Sequence, residues 1–103
     1  MRIKRADTEI VGEFRSRILA VNLTVYSDCI ERERVTDGRV RREVLQMRDV
    51  EELKIEPLAS KLVNLVVRSR DGRRIQMEMM ERDSAERAKD LVERLKAPNG
   101  DGR

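Results

Sequence analysis

Between Ile18 and Tyr26 apolar side chains fall on alternate positions, with Leu19, Val21, Leu23 and Val25 on one side and Ala20, Asn22, Thr24 and Tyr26 on the other. That period of two predicts a half-buried strand. Ser27-Asp28 reads as a turn, and charged strands over Cys29–Val35 and Val40–Met47 flank Asp37-Gly38. A two-residue turn there sets Val35 opposite Val40, Glu33 opposite Arg42, Arg32 opposite Glu43 and Ile30 opposite Leu45, so apolar groups and opposite charges both match. Arg34 facing Arg41 is the single mismatch of that register.

Glu52–Glu56 is a short strand with Leu53 and Ile55 inward, ended by Pro57, which has no N–H for a ladder. A loop through Ser60 leads to a second hairpin, Leu62–Ser69 and Arg73–Met80, around Asp71-Gly72. A two-residue turn would put Val63, Leu65 and Val67 on the face of Arg74, Gln76 and Glu78. A three-residue loop, Arg70-Asp71-Gly72, instead pairs Val67 with Ile75, Leu65 with Met77 and Val63 with Met79, and places Gly72 at positive φ. Met77 and Met79 are then core residues. Ile10, Gly12, Glu13 and Phe14 alternate poorly, so Glu9–Arg17 is read as a further strand or as irregular chain.

Beyond Met80 the period becomes helical. Ala85, Ala88, Leu91, Val92 and Leu95 form one stripe, Asp83 caps it with Glu86 three residues on, and Pro98-Asn99-Gly100 stops it. The expected fold is mostly β with one helix: a six- to seven-stranded antiparallel open barrel capped by a C-terminal helix. Residues 9–97 make one domain, after a flexible segment at 1–8 and before a disordered tail at 98–103.

Three stretches bear a likeness to a known family. These are Asn22-Leu23-Thr24-Val25-Tyr26-Ser27-Asp28-Cys29-Ile30, then Val44 through Leu53 as a spaced apolar entry into a strand, and the Gly72 hairpin before the capped helix. In these the chain resembles the bacterial pleckstrin-homology-like (PH-like) domains over roughly residues 18–95. The resemblance implies a seven-stranded open barrel plugged by its helix, and a binding module. The lipid-binding branch of that family carries a tryptophan in the terminal helix and converging basic donors at the first hairpin loop. Here Leu91, Val92 and Leu95 take the helix position, while Lys4, Arg5, Arg15 and Arg17 precede the first clear strand.

Charge changes the picture of partners. Charged residues make up 42% of 103 residues, yet 23 basic and 20 acidic side chains leave a formal net charge of only +3. Basic residues alternate with acids, as in Glu31-Arg32-Glu33-Arg34, and only Phe14 and Tyr26 are aromatic. Neither nucleic-acid backbone nor single-stranded bases are addressed by such a surface. The single Cys29 rules out an intrachain disulfide and fits a reducing cytoplasm, and neither a leader-like apolar segment nor a membrane-length run is present.

Histidine is absent, which removes the commonest general base and metal ligand. Glu51 and Glu52 point to opposite faces of a strand, Cys29 lacks a base to take its proton, and Asp37-Gly38 and Asp71-Gly72 each offer one carboxylate where calcium needs several oxygens. The expectation is therefore a non-enzyme without metal or cofactor. It binds a protein partner or another copy of itself, with a peripheral adaptor for anionic membranes as the alternative. Two surfaces are candidates. Leu62, Val66 and Met80 form an outward apolar patch on the second hairpin, open to a partner or covered by Ile10 and Phe14; Arg39, Arg41, Arg42 and Arg48 form a basic strip on the first, offset by Glu31, Glu33 and Glu43.

Overall fold

The computed structural model describes residues 10–59 and 61–96. The segment at 1–8, the loop residue Ser60 and the tail at 98–103 lie outside the described residues. In chain order the elements are β1 (Ile10–Arg15), β2 (Val21–Tyr26), β3 (Cys29–Thr36), β4 (Arg39–Gln46), a 3-10 turn (Met47–Asp49), β5 (Val50–Ala59), β6 (Leu62–Ser69), β7 (Arg74–Glu81) and α1 (Arg82–Lys96). All strand pairs are antiparallel, in one sheet ordered β1-β2-β3-β4 and another ordered β5-β6-β7. The two sheets do not close on each other.

The core lies between the sheets and under α1. Val21, Leu23, Val25, Ile30 and Leu45 enter it from the first sheet, and Leu53, Val63, Leu65, Val67, Ile75, Met77 and Met80 from the second. Burying one such side chain contributes roughly 1.5–3 kcal/mol. Ala85, Ala88 and Val92 are fully buried, with Leu91 and Leu95 packed alongside, as the helical stripe predicts. Small side chains at Ala85 and Ala88 let the helix approach closely; it packs against β1, β5, β6 and β7. Asp83 falls within the first turn of α1 and not at its cap, a position still favourable for a carboxylate beside the positive end of the helix dipole.

Four sequence expectations change in the folded chain. First, β2 begins at Val21 and not Ile18, because Ser16 Oγ accepts the N–H groups of Ile18 (3.4 Å) and Leu19 (3.1 Å) and holds them in a turn. Second, the ambiguous segment is a true strand. Its alternation is broken by an extra residue, Val11, between the pairs Ile10 with Tyr26 and Gly12 with Val25. Gly12 is there because α1 lies on it: a Cβ would stand 2.8 Å from Leu91 Cδ2. Third, Pro57 does not end β5, which runs on to Ala59. β5 is the edge of its sheet, so a missing donor on the open side costs no ladder bond.

The fourth change concerns the second hairpin. Its loop is as expected, with Val67 opposite Ile75, Leu65 opposite Met77, and Gly72 at φ +93°. Farther along, however, Val63 pairs with Met80 and not Met79. β7 carries one residue more than β6 between these pairs, a bulge in which Met79 takes φ +56°. Its N–H donates to Asn64 Oδ1 at 3.1 Å, and its carbonyl accepts from the Arg17 N–H at 2.8 Å and from Ser16 Oγ at 3.3 Å. The bulge reverses the inward and outward order. Met80 is fully buried, and Met79 is the partly buried one.

Candidate partner-binding face on the β3–β4 hairpin

The hairpin closes through Asp37 (φ +51°) and Gly38 (φ +75°), both left-handed, which is the mirror-image turn whose twist matches paired strands. Every pair expected between β3 and β4 is present, including Arg34 opposite Arg41. Directly opposed residues share a face. Ile30, Arg32, Arg34 and Thr36 therefore lie with Leu45, Glu43, Arg41 and Arg39, and Glu31, Glu33 and Val35 lie with Val44, Arg42 and Val40.

The first of these faces is the one that carries the core. Ile30 and Leu45 are fully buried in it. One step outward, Arg32 is 7% exposed and bridges the sheets, its guanidinium 3.0 Å from Glu43 and 3.1 Å from Glu78 on β7. Its Nε alone among buried side-chain polar atoms of the described residues finds no hydrogen-bond partner. One step farther the charge is unanswered. Arg34, beside Val21 on β2 and opposite Arg41, together with Arg39 one position along, has no acidic side chain within salt-bridge distance among the described residues.

On the opposite face the cation is neutralised. Arg42 Nε lies 3.3 Å from Glu31 and its Nη2 lies 2.9 Å from Glu33. Tyr26 adds its hydroxyl to Glu31 at 3.3 Å. Arg48 stands in the 3-10 turn beyond the far end of β4. The expected strip of Arg39, Arg41, Arg42 and Arg48 is thus divided: Arg39 and Arg41 share a face, Arg42 points away paired, and Arg48 is remote. The missing member is Arg34. Its signal was the like-charge mismatch in the register itself.

The apolar patch expected at Leu62, Val66 and Met80 is not assembled, because the Met79 bulge turns Met80 into the core. Leu62 is half-buried and now lies opposite Glu81. Val66 is 7% exposed at the floor of a shallow depression walled by Glu52, Lys54, Glu56, Arg68 and Arg74, whose long stems cover it. Ile10 and Phe14 do not overlie it, since β1 pairs with β2 in the other sheet.

Other chemistry-bearing residues stay apart. Cys29 is buried beside its turn, and no group of three or more metal-ligating side chains occurs among the described residues. At the second hairpin loop the Ser69 hydroxyl donates to Asp71 Oδ1 at 2.6 Å and the Arg73 N–H donates to the same oxygen at 3.1 Å. These bonds, the serine's first, hold the Asp71 carboxyl below the usual carboxylate range. No described helix is long and apolar enough to cross a membrane. Comparison with protein-family models, curated proteins and solved structures finds no match.

Proposed function

We propose that this chain is a non-catalytic binding domain of PH-like, open-barrel architecture that recognises an acidic segment of a protein partner through Arg34, Arg39 and Arg41. One observation carries the reading. Two arginines sit directly opposite each other with a third beside them, and no carboxylate among the described residues answers them, although the same hairpin supplies acids to Arg32 and Arg42. Like charges facing across a ladder destabilise the pair. The described part of the chain is rich in acidic residues, and none of them is placed to relieve that cost. A ligand that brings carboxylates relieves the repulsion and gains bidentate, charge-assisted bonds. The four-plus-three strand order followed by a helix supports the PH-like part of the reading.

The test is titration of a fluorescent glutamate-rich peptide into the parent and an Arg34→Ala/Arg41→Ala variant, beside co-sedimentation with phosphatidylserine vesicles. Saturable peptide binding lost in the variant, with vesicle binding weak, supports the proposal. Strong vesicle binding that collapses with salt and with the same variant assigns the face to a membrane and overturns it.

A further inference from the structure

The direction of the hydrogen bonds in β3 and β4 decides what the arginine face adjoins. Val35 donates its N–H to the Ala20 carbonyl at 3.0 Å, toward β2 and away from β4. In an antiparallel pair the bonded and non-bonded positions alternate. Thr36, Arg34, Arg32 and Ile30 therefore exchange bonds with Arg39, Arg41, Glu43 and Leu45, while Val40, Arg42 and Val44 turn their N–H and C=O groups outward. Among the described residues no strand lies there: β4 is the terminal strand of its sheet, and the Val44 carbonyl accepts from Arg73 Nη2 at 3.5 Å.

The other three sheet edges are guarded by devices that stop strand addition. β1 is six residues long, is broken by the Val11 bulge, and lies against α1. β5 carries Pro57 and two register shifts. β7 has the Met79 bulge, whose carbonyl is taken by Ser16 and Arg17. By contrast β4 runs eight residues against β3 with no shift and no proline. Its two faces differ. Arg39 and Arg41 stand on one, beside Arg34, while Val40 and Val44 stand 48% and 40% exposed on the other.

We propose that the free edge of β4 accepts an extended acidic segment of a partner protein as a fifth strand, main chain to main chain at Val40, Arg42 and Val44. This rests on the acidic-partner reading above and adds the mode of binding. Alternate side chains of the added strand face opposite sides. Those on the arginine side are acidic, against Arg34, Arg39 and Arg41, and those on the other side are β-branched, against Val40 and Val44. A second copy of this chain is the poorer occupant. β4 carries three arginines and one glutamate, so two such edges repel.

The probe is a blocked peptide of alternating glutamate and valine, titrated into the isotopically labelled protein and followed by amide chemical shifts. Two control peptides accompany it, one of the same composition in two blocks, the other N-methylated at alternate amides so that charge is kept and main-chain donation is lost. Expected are shifts centred on the Val40, Arg42 and Val44 amides, with N-methylation weakening binding at least about tenfold, the scale of a lost hydrogen bond or two. Val44→Pro, which removes an edge donor and leaves the β3 ladder intact, should weaken it similarly.

Binding that is equal for all three peptides but lost in Arg34→Ala/Arg41→Ala overturns strand addition and leaves the acidic-partner reading standing. No binding of any peptide overturns both. Shifts centred on β5 or β7, or dimerisation of the free protein that Val44→Pro abolishes, likewise overturn the proposal.

Discussion

The bulge in β7 makes two neighbouring methionines unequal, and that inequality is measurable. Met80 is 0% exposed and opposes Val63 in the core, whereas Met79 is only partly buried, at φ +56°. Met80→Ala deletes a fully enclosed thioether chain and leaves a cavity, which costs about 2–5 kcal/mol. For a domain of this size each kcal/mol lowers Tm by roughly 4–8 °C, so a loss of about 3 kcal/mol is a fall of roughly 12–24 °C. Met79→Ala removes partly solvated atoms and keeps the same backbone strain, so its cost is below about 1 kcal/mol. Met79→Gly removes about 1–2 kcal/mol of left-handed strain and adds about 0.5–1 kcal/mol of backbone entropy, leaving stability close to the parent. Thermal and urea unfolding followed by far-ultraviolet circular dichroism is the assay, since the chain has no tryptophan and one tyrosine. If Met79→Ala costs as much as Met80→Ala, the uninterrupted register holds and the bulge argument fails.

Gly72→Val should cost about 1–2 kcal/mol through its φ alone, because nothing lies within 4 Å of the added Cβ; Gly72→Asn should cost less in the same melts, and equal costs would point to packing instead. Asn64→Ala orphans the Met79 N–H and should destabilise by about 1–3 kcal/mol, while Asn64→Asp, which keeps an acceptor there, should recover most of the loss in urea midpoints. Asp71 titrates lower folded than unfolded, so its bonds contribute stability above the unfolded value and lose it as pH falls through the folded one; Ser69→Ala should raise the carboxyl pKa seen by carbon-13 titration, and an unchanged value would remove the serine as the cause. Arg32→Met exchanges a buried cation with an unsatisfied Nε for an apolar side chain of similar length, and its chemical melt should match or exceed the parent's; a loss above about 2 kcal/mol would show that the bridge to Glu43 and Glu78 outweighs its desolvation.

Local chemistry was legible along the chain wherever a few consecutive residues decide the outcome. Asp37-Gly38 fixes its own turn and, through it, the whole β3–β4 register, down to the Arg34–Arg41 mismatch that marks the candidate site. The stripe from Ala85 to Leu95 and the positive φ of Gly72 likewise follow from spacing within one element. What the tertiary structure decided depends on partners far away in sequence. Met79 can bulge because Asn64, Ser16 and Arg17 meet its backbone groups, and no window around residue 79 contains them. Pro57 can remain in a strand because β5 is an edge, which is a property of the sheet and not of the residues beside it. Arg32 is neutralised partly by Glu78 on β7, so this part of its pairing exists only once both sheets are in place, whereas the pairing of Arg42 with Glu31 and Glu33 follows from the parity of its own hairpin. Charge pairing acts over a few ångströms, and proximity between elements is what folding, not composition, supplies.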